Sequence, residues 1–180
     1  MQREPEAKGI RSYTHLYNAM PSLHHRDGGA VCAAFEGDAF AELICDGIHI
    51  HAGVVRATFQ MFGAERMVLI SDSLRATGMP DGIYPFGGLE IEVHGNRATI
   101  VGHPETLAGS VTSLMGCLRQ AVTFGIPLEN AVRACTFNPA QAIKIDDRAG
   151  TLDLGKEASI VLLNKDALSV KKIIFKGKEV

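Results

Sequence analysis

The sequence predicts an α/β protein whose short parallel strands carry polar, chemically capable residues at their C-terminal ends. Three apolar runs share that plan: Gly9 to Asn18 (GIRSYTHLYN), Phe40 to His51 (FAELICDGIHIH) and Arg66 to Ser73 (RMVLISDS). Between the second and third, GVVRATFQMFG sets Val54, Val55, Thr58, Phe59 and Phe62 at helical spacing and stops at Gly63. The result is a strand, helix, strand unit, the right-handed crossover of α/β folds.

After Asp72 the pattern changes. Residues 83–101 read as a hairpin, with LEIEV and RATIV as strands and His94-Gly95-Asn96 as the turn. Helical periodicity then returns, with Ser110 as N-cap, a stripe of Val111, Leu114, Met115, Leu118 and Val122, and Gly125 as the stop. A second short helix fits Pro127 to Cys135, and a third starts at Asn138 with Pro139 in its first position. The tail is β again, in ASIVLLN and in KKIIF and KEV about a Lys-Gly-Lys turn. About three β/α units of this kind cannot close a barrel, which typically needs about 250 residues where this chain has 180. An open sheet of that size leaves edges uncovered.

Composition narrows the ligand. Lys+Arg 18 against Asp+Glu 20 gives a net charge of −2, and neither sign is gathered into a block, so nothing points to nucleic acid or to a membrane surface. No apolar run reaches the roughly 20 residues of a membrane span, and MQREPEAKGIRSY has no apolar leader. Cys32, Cys45, Cys117 and Cys135 are scattered among apolar neighbours without a C-x-x-C pair, which reads as reduced core thiols. A cytoplasmic protein acting on a small soluble ligand is the expectation.

Three strand ends could carry chemistry. His15, at the end of the first run, suits a metal through its neutral imidazole, with Asn18 near enough to hydrogen-bond a ligand; the plainer reading is an ordinary core or surface histidine. In Asp46-Gly47-Ile48-His49-Ile50-His51, strand alternation sets His49 and His51 on one face and Asp46 and Ile48 on the other. An Asp-Gly turn with solvent-facing histidines is the alternative. Asp72, directly after an apolar strand, suits a general base or metal ligand, or merely starts a loop. Arg26 in LHHRDGG could hold a phosphate bidentately. The amides of Leu107, Ala108, Gly109 and Ser110, just before a helix, suit a polar or anionic ligand or simple helix initiation.

In order and spacing, the motifs THLYNAM, HHR-x-G-G, DGIH, SDS-x-x-A-x-G, LAGS, NPA and G-x-L-x-x-G-K-x-A resemble the N-acetylglucosamine-6-phosphate deacetylases of the amidohydrolase superfamily, from about residue 7 to the C-terminus. The resemblance implies a partial (β/α)8 metal-dependent hydrolase barrel, about its last three β/α units, with part of a small β-sandwich domain. The expected division is 1–81 for the β/α units, 82–104 for a β-hairpin insertion, 105–147 for closing helices and 148–180 for strands of the small domain. By the same resemblance, His15 is a ligand to a divalent metal (zinc, iron or manganese) and Asn18 and Ala19 contact the substrate. Arg26 binds the sugar phosphate, reaching into the neighbouring subunit of a dimer. Asp46, Gly47, Ile48 and His49 line the sugar-phosphate pocket, Asp72 is the catalytic aspartate, and Leu107, Ala108 and Gly109 contact the substrate through their backbone. The implied reaction is hydrolysis of N-acetyl-D-glucosamine 6-phosphate to glucosamine 6-phosphate and acetate.

The departures carry equal weight. Members of that family bring a metal-binding glutamate, another metal-binding histidine and a substrate-contacting histidine from upstream of the THLYNAM strand, and the 14 residues before His15 cannot hold them. The chain is therefore expected to be a C-terminal part with very low or no activity by itself, completed by an N-terminal half. Two other readings stand beside this one: an amidohydrolase acting on cyclic amides, which Arg26, His49 and LAGS disfavour, and a non-catalytic half-barrel that assembles through its exposed strands.

Overall fold

The computed structural model describes residues 9–180. The expectation of a chain start without an apolar leader falls largely on residues 1–8, outside the described residues.

The first half is an α/β layer. β1 (Ser12–Tyr13), α1 (Gly29–Glu36), β2 (Phe40–Ile44), α2 (Ala52–Phe62) and β3 (Met67–Ile70) follow one another, and the three strands pair in parallel in the order β1-β2-β3. Ala41, Leu43 and Ile44 of β2 and Met67, Val68 and Leu69 of β3 are all buried, the continuous burial expected of a parallel sheet covered by helices. α2 lays Val55, Thr58, Phe59 and Phe62 into the core and ends at Gly63, whose φ of 72° suits a residue without Cβ. Val54, expected on that buried face, is exposed.

The first and second runs are shorter strands than expected. After Tyr13 the chain leaves the sheet, and His15, Tyr17 and Ala19 take positive φ angles of 39°, 78° and 51°. After Ile44 the Asp46 carboxylate captures two backbone amides that a strand would have spent on pairing.

The expected hairpin is half of a larger antiparallel sheet. β4 (Gly82–Phe86), β5 (Leu89–His94), β6 (Arg97–Ile100) and β7 (His103–Leu107) pair in sequence order, and β7 runs past residue 104. Ile91, Val93 and Ala98 form its core with Ala76 and Ala108. β4 and β7 are mostly exposed and lack apolar alternation, so neither announces itself in the sequence.

α3 (Leu114–Thr123), α4 (Leu128–Cys135) and α5 (Phe137–Ala142) follow, and β8 (Ile160–Leu163), β9 (Val170–Phe175) and β10 (Lys178–Glu179) close the chain as an antiparallel sheet. Two expectations are corrected here. Ser113 caps α3, its hydroxyl accepting the Gly116 amide at 3.1 Å, whereas Ser110 is buried and pairs with Ser73 in a parallel bridge. Asn138 lies inside α5 rather than starting it, fully buried, and its Nδ2 donates to the carbonyls of Ala64 (2.7 Å) and Met67 (2.6 Å). It clamps the helix to the entry of β3.

All four cysteines are free thiols; Cys45 and Cys117 are buried, Cys32 and Cys135 half-buried. Burial pushes the Cys45 and Cys135 thiols up to about 12 and the Cys117 thiol up to about 11, from an ordinary 9.0. Because the folded state holds these protons more tightly, their stabilising contribution is complete below about pH 9. It is lost as pH rises through the folded values. We expect the urea midpoint to fall between pH 9 and 11, and Cys45 and Cys117 to resist alkylation at pH 8 until the chain unfolds. Rapid labelling of both in the native chain would contradict this.

Candidate functional site

A cavity of about 200 Å³ opens at the C-terminal end of the parallel sheet, lined by His15, Asn18, Ala19, Ile44, His49, Asp72, Leu107, Ala108 and Gly109. Sequence segments far apart converge there, each brought by its own device.

The His15 segment is a turn pinned at both ends. The Leu16 amide donates to the Glu42 carbonyl of β2 at 2.7 Å, and the Tyr17 hydroxyl meets Thr58 Oγ1 of α2 at 2.7 Å. Within the turn the Asn18 amide donates to the His15 carbonyl at 2.9 Å. Left-handed backbone at non-glycine residues costs about 1–3 kcal/mol each and persists where the surroundings impose it, often at functional sites. His15, Ala19 and Asp72, with Tyr17 beside them, concentrate such angles on this cavity.

Asp72 follows β3 with φ 49°. Its carbonyl accepts the Ser110 amide at 2.7 Å, and the Ser110 carbonyl in turn accepts the Leu74 amide at 2.8 Å. The Ser110 hydroxyl donates to the Ser71 carbonyl. Gly109 sits in this weld: a Cβ on it would stand 2.7 Å from the Asp72 carbonyl oxygen and 3.3 Å from Asp72 Oδ2. We expect Gly109→Ala to lower stability by about 1–3 kcal/mol, the usual cost of overpacking, with amide shifts at Asp72 and Ser110. A urea midpoint equivalent to less than about 0.5 kcal/mol of change would show that the loop gives way freely.

The 46–49 turn departs from strand alternation. Asp46 Oδ1 accepts the amides of Ile48 and His49, each at 2.9 Å, and Oδ2 lies 2.6 Å from His49 Nδ1. His49 is thereby folded back over Asp46, with its ring in the cavity wall. His51 lies elsewhere, exposed, its Nδ1 capping α2 by accepting the Gly53 amide at 3.1 Å. Burial pushes the Asp46 carboxyl up, but the hydrogen bonds from His49 and Ile48 outweigh it and leave the group below the usual carboxylate range.

Asp46, Gly47, Ile48 and Arg26 are expected at the site and do not line the cavity. Gly47, at φ 83°, lies over the Gln120 side chain, and the Ile48 amide is spent on Asp46. Arg26 is on an exposed loop with Nη1 2.8 Å from His25 Nε2. Ile44 forms part of the wall unforeseen; its one signal is its place as the last residue of a buried strand. The amides at 107–110 do not precede a helix, because β7 and the Ser73 bridge bring them to the site as extended chain.

His15 Nδ1 is buried with no hydrogen-bond partner among the described residues. Such an orphaned atom costs about 1–3 kcal/mol, and a divalent ion or a ligand donor would satisfy it. Among the described residues no group of three or more His, Cys, Asp or Glu side chains is placed to hold an ion. His15 and Asp72 thus fit part of a metal site, short of the three protein ligands usual for a catalytic ion. No helix among the described residues is long and apolar enough to cross a membrane.

Comparison with known proteins adds a family match, two relatives and a solved structure. Residues 6–180 match the model of the amidohydrolase family. The chain is 36% identical over 174 residues to the N-acetylglucosamine-6-phosphate deacetylase of Vibrio furnissii, a match covering 96% of this chain and 43% of that protein. It is 36% identical over 166 residues to a putative N-acetylgalactosamine-6-phosphate deacetylase of Escherichia coli K12, covering 91% of this chain and 97% of that one. Among solved structures, an N-acetyl-D-glucosamine-6-phosphate deacetylase mutant from Mycobacterium smegmatis, in complex with N-acetyl-D-glucosamine-6-phosphate, superposes with a TM-score of 0.89 at 36% identity. That superposition covers 95% of this chain and 45% of that one. The chain spans less than half the length of the Vibrio and Mycobacterium proteins.

Proposed function

The chain belongs to the amidohydrolase family, and from that premise we propose that it supplies the catalytic-aspartate side of a deacetylase acting on N-acetyl-D-glucosamine 6-phosphate. The observation that carries this reading is the convergence of His15 and Asp72, both on strained backbone, upon one cavity at the end of a parallel sheet. In this reading the sheet is the last part of a (β/α)8 barrel at 1–81, with an insertion at 82–104, closing helices at 105–147 and small-domain strands at 148–180.

The chemistry follows from the residues. Asp72 accepts a proton from water as the water oxygen bonds to the acetamide carbon, then returns it to the nitrogen as the carbon–nitrogen bond breaks, releasing acetate and glucosamine 6-phosphate. A divalent ion held in part by His15, whether zinc, iron or manganese, would polarise the carbonyl and acidify the attacking water. Asn18, Ala19 and the backbone of Leu107, Ala108 and Gly109 orient the sugar, and His49 offers a ring nitrogen to it. Arg26, away from this cavity and on the surface, fits a phosphate held across a dimer. We place the protein in the cytoplasm, where phosphorylated amino sugars are found.

The test is acetate release from N-acetylglucosamine 6-phosphate by the chain alone and by the chain mixed with the unmatched N-terminal part of the Vibrio relative. Little or no turnover alone, with turnover and bound metal on mixing, is the expected result. An inert mixture, where the intact relative works in the same assay, would count against the reading. Turnover by the chain alone would show that it already holds a complete site. The Escherichia coli relative matched over 97% of its length favours a second reading, the galactosamine epimer, so both sugars are assayed.

A further inference from the structure

The Asp46 carboxylate has no free face. Its side chain is 2% exposed, Oδ1 is taken by the Ile48 and His49 amides, and Oδ2 is 2.6 Å from His49 Nδ1. It does not border the cavity, whereas His49 does, its side chain 7% exposed and its Nε2 without a hydrogen-bond partner among the described residues. The resemblance to the deacetylases makes Asp46 a pocket residue, but the hydrogen bonds give it a different job.

We propose that Asp46 is a positioning residue that fixes His49 as the Nδ1–H tautomer and turns its bare Nε2 toward the ligand. A carboxylate only accepts, so the atom facing it at 2.6 Å must carry the proton. The ordinary preference of a free imidazole for the Nε2–H form is thereby reversed. Gly47 takes the left-handed backbone of this turn at φ 83°, and a Cβ on it would stand 3.2 Å from the Gln120 side chain. The other titratable groups in the cavity are His15 and Asp72. Only the identity of the ligand rests on the proposed function; the tautomer is a property of the free chain.

The chain contains its own reference. His51, two residues on, accepts the Gly53 amide through Nδ1 and so must be the Nε2–H form. Long-range 15N–1H spectra of the ligand-free chain, at a pH where the rings are neutral, should show His49 with Nδ1 protonated and His51 with Nε2 protonated. Asp46→Asn sharpens the test. Its Oδ1 keeps the two backbone hydrogen bonds while Nδ2 presents a donor to the ring, so His49 should switch to Nε2–H and His51 should stay unchanged.

His49 found as Nε2–H in the unsubstituted chain overturns the proposal. So does an unaltered Nδ1–H signal in a folded Asp46→Asn variant. Should that variant fail to fold, Asp46→Ser keeps an acceptor for the turn and removes the carboxylate. A loss of the Nδ1–H preference there supports the assignment, and its retention overturns it. A merely structural Asp46 would move neither signal. Failure of the deacetylase assay leaves these spectra as they are, so the two readings fail separately.

Discussion

Asn138→Ala is expected to lower the unfolding free energy by about 2–4 kcal/mol, roughly the cost of leaving two buried acceptors without a donor less what the mutation relieves. The side chain is fully buried, and its Nδ2 serves two backbone carbonyls at the start of β3, those of Ala64 and Met67. Alanine fills less space and donates to neither. The loss is tempered because Asn138 Oδ1 is itself buried without a partner and leaves with the mutation. Urea denaturation measures the change; an unaltered slope with a lower midpoint would assign it to the folded state. A loss under about 1 kcal/mol would mean that water enters and takes over the two carbonyls.

Asp72→Asn is expected to cost about 10²–10⁴-fold in acetate release by the mixed assembly, the range for removing a general acid–base group. Stability should hardly change. Asp72 is exposed, its structural bond runs through its carbonyl to the Ser110 amide, and asparagine tolerates the left-handed backbone that Asp72 adopts at φ 49°. The pairing of a large rate loss with an unmoved urea midpoint is the signature. A variant that keeps its rate would remove Asp72 from the chemistry.

Much of the α/β layer is legible in the sequence because β2 and β3 are short, mostly apolar runs and α2 carries an apolar stripe that stops at a glycine. What escapes is decided by hydrogen bonds between distant segments. β4 and β7 are exposed and carry no alternating pattern, so their pairing shows only once β5 and β6 stand beside them. Two serines three residues apart, Ser110 and Ser113, both suit a helix start; the first is drawn off by the Ser71 carbonyl. Alternation would set His49 and His51 on one face, but a carboxylate three residues back from His49 folds it into the cavity. The family resemblance assigns metal or substrate roles to His15, Asn18 and His49 and the catalytic role to Asp72, and these four residues line one cavity. Residue types and spacing by themselves offered each only as a strand end.

The bond between Asp72 and Ser110 also sets how motion spreads through the molecule. Ser110 lies three residues beyond β7, the last strand of the four-stranded sheet, so that sheet is a lever arm whose short end is the peptide of Asp72. The turn that carries His15 is held to β2 through Leu16 and to α2 through Tyr17, and His49 is held by Asp46 just past the end of β2. A displacement of the four-stranded sheet is therefore expected to reach the Asp72 peptide first, through the Ser110 bond, while the imidazoles of His15 and His49 answer to the parallel layer instead.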